Sequence, residues 1–184
     1  MITAAITAVL ALVGVLVTVA ANQYLARQDR LRKDFVEALA AVERCGELPY
    51  RIRRRQGSTP EIRERLSETI HEVQKDLLFH RSWLRVQAPQ VADVYDSLLR
   101  AIREEAGVAM THAWNTSPIT RDEDMPLRNG YSFPQMNAQR AKYVEAVRWQ
   151  LQPMALRWAR ERLIPWLAEH INRRLSDPSR SQRS

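Results

Sequence analysis

Ahead of Arg27 the chain carries no charged side chain, and residues 1–21, MITAAITAVLALVGVLVTVAA, are dominated by Ala, Val, Leu and Ile. A bilayer is crossed by a helix of about 20 apolar residues, so the stretch is expected to be a transmembrane anchor. The rival is a signal peptide cleaved after Val19-Ala20-Ala21, but no basic segment precedes the run, which is also long for a signal-peptide apolar core. Arg27, Arg30, Arg32 and Lys33 follow closely. The positive-inside rule then puts the amino terminus outside and the carboxyl-terminal domain in the cytoplasm, making this a single-pass protein of the cell membrane. In that compartment Asn115-Thr116-Ser117 never meets the glycosylation machinery. The lone Cys45 suits reducing conditions and excludes an intramolecular disulfide.

Beyond the anchor the apolar period is helical. Leu31, Phe35, Leu39 and Val42 recur at four, four and three residues, which predicts a juxtamembrane stalk and first bundle helix over 22–58. Gly46 and Pro49 are expected to kink or interrupt it. A second helix should start at Thr59 as cap with Pro60 in the first turn, and carry Ile62, Leu66, Ile70, Val73, Leu77 and Leu84 on one stripe. A third, from about Pro89 to Trp114, should turn Val91, Val94, Tyr95, Leu98, Ile102, Ala106 and Ala109 inward. Residues 115–134 show no sustained period and form a long loop, a length usually functional or disordered. A fourth helix is expected over Gln135 to Leu175, interrupted at Pro153 and Pro165, before a disordered tail at 176–184. With only five glycines, the fold class is all-α: an amino-terminal transmembrane helix followed by an antiparallel four-helix bundle with one long loop. The segments are 1–21 as anchor, 22–58 as stalk and first helix, 59–175 as the remaining bundle, and 176–184 as tail.

Arg51, Arg53, Arg54 and Arg55 fall within five residues. Matching helix lengths put them at the end away from the lipid, together with the 115–134 loop and its acidic Asp122, Glu123 and Asp124. That triplet is expected to offset the arginines, so replacing Arg53, Arg54 and Arg55 should scarcely alter stability. Plain solvation of the cluster is the next reading, and an anion-binding site at Arg51, Arg53, Arg54 and Arg55 comes behind it. A nucleic-acid partner is disfavoured, because only Tyr50 is interleaved with the arginines and no nucleic-acid-binding signature accompanies them. Trp166, Leu167, Ile171 and Leu175 share a face beside Arg173 and Arg174, as an interfacial helix requires, although a core-facing helix end has the same pattern. The membrane-interface candidates are therefore Arg27, Arg30, Arg32, Lys33, Trp166, Arg173 and Arg174. Glu68 and His71 have the i, i+3 spacing of di-iron bundles, but no second Glu-x-x-His follows. No catalytic, cofactor-binding or metal residue is assigned, and no cofactor is called for.

ITAVLALVGVLVTVAANQYLARQDRLRKDF, ELPYRIRRR, AWNTSP and DEDMPL resemble an uncharacterised family of bacterial proteins that share one amino-terminal transmembrane helix and a cytoplasmic helical region. The resemblance implies the layout and no activity. The expected function is a non-enzymatic, membrane-anchored cytoplasmic helical interaction module, with the lipid bilayer and a protein as partners. The alternative is a nucleotide- or nucleic-acid-responsive membrane effector using Arg51 to Arg55, and a metal-dependent bundle enzyme at Glu68 and His71 ranks third. Thr7 to Ala11 and Gly14 to Thr18 are small-xxx-small pairs of the kind that let helices associate, which leaves a homo-oligomer open.

Overall fold

A computed structural model of the protein describes residues 2–119, 121, 123, 130–153 and 166, with side chains from Leu12 onward apart from that of residue 13. All regular structure among the described residues is helical: α1 Ile2–Arg53, α2 Pro60–Gln87, α3 Pro89–Asn115 and α4 Pro134–Gln150. The chain divides into two compact units, Met1–Val147 and Arg148–Ser184.

Among the described residues the core of the first unit begins at Leu31, about three turns past residue 21, and follows the helical period through Phe35, Ala38, Val42, Cys45, Leu48 and Ile52. Backbone packing is closest among α1, α2 and α3. Buried alanines, Ala38 and Ala41 on α1 and Ala106, Ala109 and Ala113 on α3, leave room for such an approach. Phe35 meets the Trp83 ring at 6.1 Å, and Arg44 meets Asp76 at 2.7 Å, so α2 runs opposite to α1. A single residue, Ala88, joins α2 to α3: its N–H closes α2 on the Leu84 carbonyl, and its own carbonyl accepts from Val91 and Ala92. The turn is flanked by Arg81 and Arg85 on α2, which pair with Asp96 and Asp93 on α3.

The backbone of α4 stands farther off and is held by longer side chains. Tyr143 donates to the Phe35 carbonyl at 3.0 Å, and one turn along α1 the Ala38 carbonyl accepts from Tyr95 of α3. The two tyrosine rings lie 5.7 Å apart, so a buried pair from different helices is tied to consecutive turns of α1. At the other end of α4, the Glu105 carboxylate of α3 accepts the N–H groups of Gln135 and Met136 at 3.0 and 2.9 Å. These are orphan donors of a helix start, and a carboxylate there also meets the positive end of the helix dipole.

Two expectations change. The helix α1 is continuous through Gly46 and Pro49. Pro49 lies only four residues before the end of α1, so it removes one hydrogen bond near a terminus where few remain to be made. Gly46 is buried against Phe133 and Ile102, so it provides a close-packed seat for a ring where a kink was expected. Thr59 does occupy the cap position of α2, in an extended conformation, but makes no side-chain cap bond.

The expected membrane span lies for the most part beyond the described side chains. Among the described residues no helix is long and apolar enough to cross a membrane. The side chains of residues 1–11 and 13, the greater part of the uncharged stretch, lie outside the described set. In the second unit, α4 ends at Gln150, Gln152 donates to the Trp149 carbonyl at 3.2 Å, and Trp166 is helical and exposed. The expected fourth-helix residues 154–165 and 167–175, and the tail at 176–184, lie outside the described residues.

Candidate functional site: the arginine end of helix α1

α1 and α3 run in the same direction, since Ala38 pairs with Tyr95 and Gly46 with Ile102, and they end beside each other. Two helix carboxyl termini, each with carbonyls that have no intrahelical donor, therefore converge. Arg55 closes both. Its guanidinium donates to the Ile52 carbonyl of α1 at 3.0 Å and to Ala113, Trp114 and Thr116 at the end of α3 at 2.8, 3.0 and 2.7 Å. It also lies 5.2 Å from the centre of the Trp114 ring.

Only 6% of Arg55 is exposed, and no carboxylate pairs with it among the described residues. The negative ends of two helix dipoles and a fixed set of carbonyls stand where a counter-ion would be needed. Arg53 continues the pattern by donating to the Ser117 carbonyl at 2.8 Å. ELPYRIRRR and AWNTSP, far apart in the chain, thus meet through guanidinium-to-carbonyl bonds.

The acidic triplet expected to offset the arginines is described at Glu123 alone. Glu123 pairs locally with Arg121 at 3.1 Å, while Asp122 and Asp124 lie outside the described residues. The start of the 115–134 loop is indeed brought to the arginines, but by its backbone carbonyls. Such bonds to the main chain leave no mark in a charge pattern. The other end of the loop is held by aromatic contacts. Tyr50 donates to the Tyr131 carbonyl at 3.3 Å, the two rings lie edge to face at 5.1 Å, and a side chain at Gly130 would meet the Tyr50 hydroxyl at 2.7 Å.

The arginines divide by what they do. Arg53 and Arg55 are occupied by carbonyls. Arg51 and Arg54 are exposed, and Arg54 lies 5.7 Å from the Tyr50 ring centre. Beside them, between the end of α1 and the first turns of α2, is a pocket of about 310 Å³ lined by Arg51, Arg54, Arg55, Arg65, Ile62 and Leu66. Arg65 was not singled out from sequence, because it lies ten residues past the cluster on another helix. The stripe residues Ile62 and Leu66 are only half-buried, which gives the pocket an apolar wall.

The other candidates are dispersed. Arg27, Arg30, Arg32 and Lys33 are all exposed along α1. Arg173 and Arg174 lie outside the described residues. Glu68 and His71 are exposed on α2, and no group of three or more His, Cys, Asp or Glu side chains among the described residues could hold a metal ion. Burial pushes the Cys45 thiol up to about 11, against a lesser opposing pull from Arg103, so it stays protonated and unreactive near neutral pH. Comparison of the chain with protein-family models, with curated proteins and with solved structures found no match.

Proposed function

We propose that the protein is a single-pass, membrane-anchored helical module whose cytoplasmic antiparallel four-helix bundle engages a protein partner. The observation that carries this reading is the exposure of apolar side chains at the start of α1. Leu12, Val15, Leu16, Val17 and Val19 are between 47% and 63% exposed. A helix segment apolar on every side needs lipid or another helix around it. Thr18 is compatible with that setting, because its hydroxyl is satisfied within the helix by the Gly14 carbonyl at 2.8 Å, a bond that Thr69 and Thr111 also make on the other helices. The charge asymmetry across the stretch supports a cytoplasmic bundle.

Continuity of α1 gives the anchor a mechanical meaning. Its 52 residues extend about 78 Å as one rod, so the bundle is rigidly continuous with the stretch that would lie in lipid. A partner is supported by the outward face of α2, where Leu78, Phe79 and Val86 are exposed, Phe79 by 63%. Exposed large apolar groups of this kind mark interaction surfaces when they cluster.

Fractionation of cells producing the full chain tests the anchor. The protein is expected in the membrane pellet after alkaline carbonate, with an engineered cysteine at Met1 labelled from outside and one at Ser67 protected. Release by carbonate would overturn the reading. A photo-crosslinker at Phe79 is expected to yield a discrete adduct in intact membranes, and none at His71.

A further inference from the structure

We propose that the pocket between the end of α1 and the start of α2 is a binding site for a small phosphorylated compound bearing an organic ring, of the nucleoside diphosphate class. Arg51 near the end of α1, Arg54 just past it and Arg65 of α2 line it together with Arg55. Arg51, Arg54 and Arg65 have no carboxylate partner among the described residues. Several other arginines of the helices do have such partners: Arg44 takes Asp76, Arg81 and Arg85 take Asp93 and Asp96, and Arg140 takes Glu43. Convergence of like charges without a counter-ion is unfavourable, and a multiply charged anion relieves it.

The geometry suits phosphate in particular. Guanidinium groups donate in a planar fork that matches phosphate oxygens, and their charge is fixed across the physiological range. Arg55 cannot swing toward a ligand, since its N–H groups are held by the carbonyls of Ile52, Ala113, Trp114 and Thr116, so it is a fixed part of the lining and the ligand's charge falls to Arg51, Arg54 and Arg65. Ile62 and Leu66 offer the wall on which a ring can lie. A volume of about 310 Å³ falls at the lower end of the range for small-molecule sites. The pocket lies entirely in the bundle and does not depend on whether α1 is anchored in lipid, so the two readings fail separately.

The test is titration calorimetry of the full chain in neutral detergent at about 0.15 M salt, a concentration that screens diffuse attraction. The probes are inorganic pyrophosphate, adenosine diphosphate, a short-chain phosphoinositide and a single-stranded oligonucleotide. Saturable one-to-one binding of adenosine diphosphate, tighter than pyrophosphate, is expected. It should weaken roughly tenfold or more in the Arg54→Gln, Arg65→Gln double variant. The Arg63→Gln, Lys75→Gln double variant, which makes the same charge change on exposed positions outside the pocket, should bind as the parent does. Both variants should melt like the parent, because the side chains replaced are exposed. The proposal is overturned by equal weakening in the two variants, or by no binding of either small phosphate. Binding of the oligonucleotide alone, or of the phosphoinositide alone, would overturn it in favour of a nucleic acid or a lipid headgroup.

Discussion

Arg55 is a buried cation whose partners are all uncharged, which makes its removal unlike the removal of its neighbours. In Arg55→Gln the carbonyls of Ala113, Trp114 and Thr116 lose their donors in a site that water reaches poorly, and a loss of about 3 kcal/mol is expected. Arg54→Gln should stay within about 0.5 kcal/mol of the parent. Urea titration of the two variants checks the contrast, and equal midpoints would show that the carbonyls find other donors.

His80 gives a second residue-scale prediction. Burial first, then Arg44, holds its pKa below the usual histidine value, against the raising influence of Glu37, Asp76 and Asp34. The unfolded chain therefore takes up the proton at about 6.5 while the folded one still resists. Stability from this group is complete above that pH and is lost as pH falls through it toward the folded value. Thermal melts from about pH 7 to pH 5 should fall more steeply for the parent than for His80→Gln. Parallel slopes would assign the acid sensitivity to other groups.

At the scale of the element, the start of α4 depends on α3. Glu105 satisfies two of its first N–H groups, and only Met136 and Tyr143 on this helix are fully buried. With so little apolar surface beneath it, α4 relies on that cap more than a helix packed along its whole length would. Glu105→Ala is expected to cost about 1 kcal/mol and to speed amide exchange at the first turn of α4 and at 130–133. The ends of α1 and α2 should be unaffected. Exchange that rises equally in all helices would mean that α4 unfolds only with the whole unit.

For the whole molecule, the position of the core predicts what the uncharged stretch contributes to folding. Among the described residues burial begins at Leu31, and the tyrosines of α3 and α4 bond to α1 at Phe35 and Ala38. A chain lacking residues 1–21 is therefore expected to keep the helical content of the remainder and a cooperative melt by circular dichroism. Loss of cooperativity would make the stretch part of the folded unit.

The helices themselves were legible in the sequence, because periodicity and proline position are local properties. The turn at Ala88 lies just ahead of Pro89, and Val91, Tyr95, Leu98, Ile102, Ala106 and Ala109 are buried as their spacing predicts. The arginine cluster and the loop it holds were also visible as neighbours, since helix length fixes which ends coincide. What each arginine does was decided only in three dimensions. A guanidinium bonded to main-chain carbonyls has partners that every sequence possesses, so no pattern of side chains distinguishes Arg55 from Arg54. Arg65 joins the pocket only because the chain reverses between α1 and α2. Gly46 and Pro49 look like interruptions until Phe133 occupies the space above one and the helix end arrives just after the other.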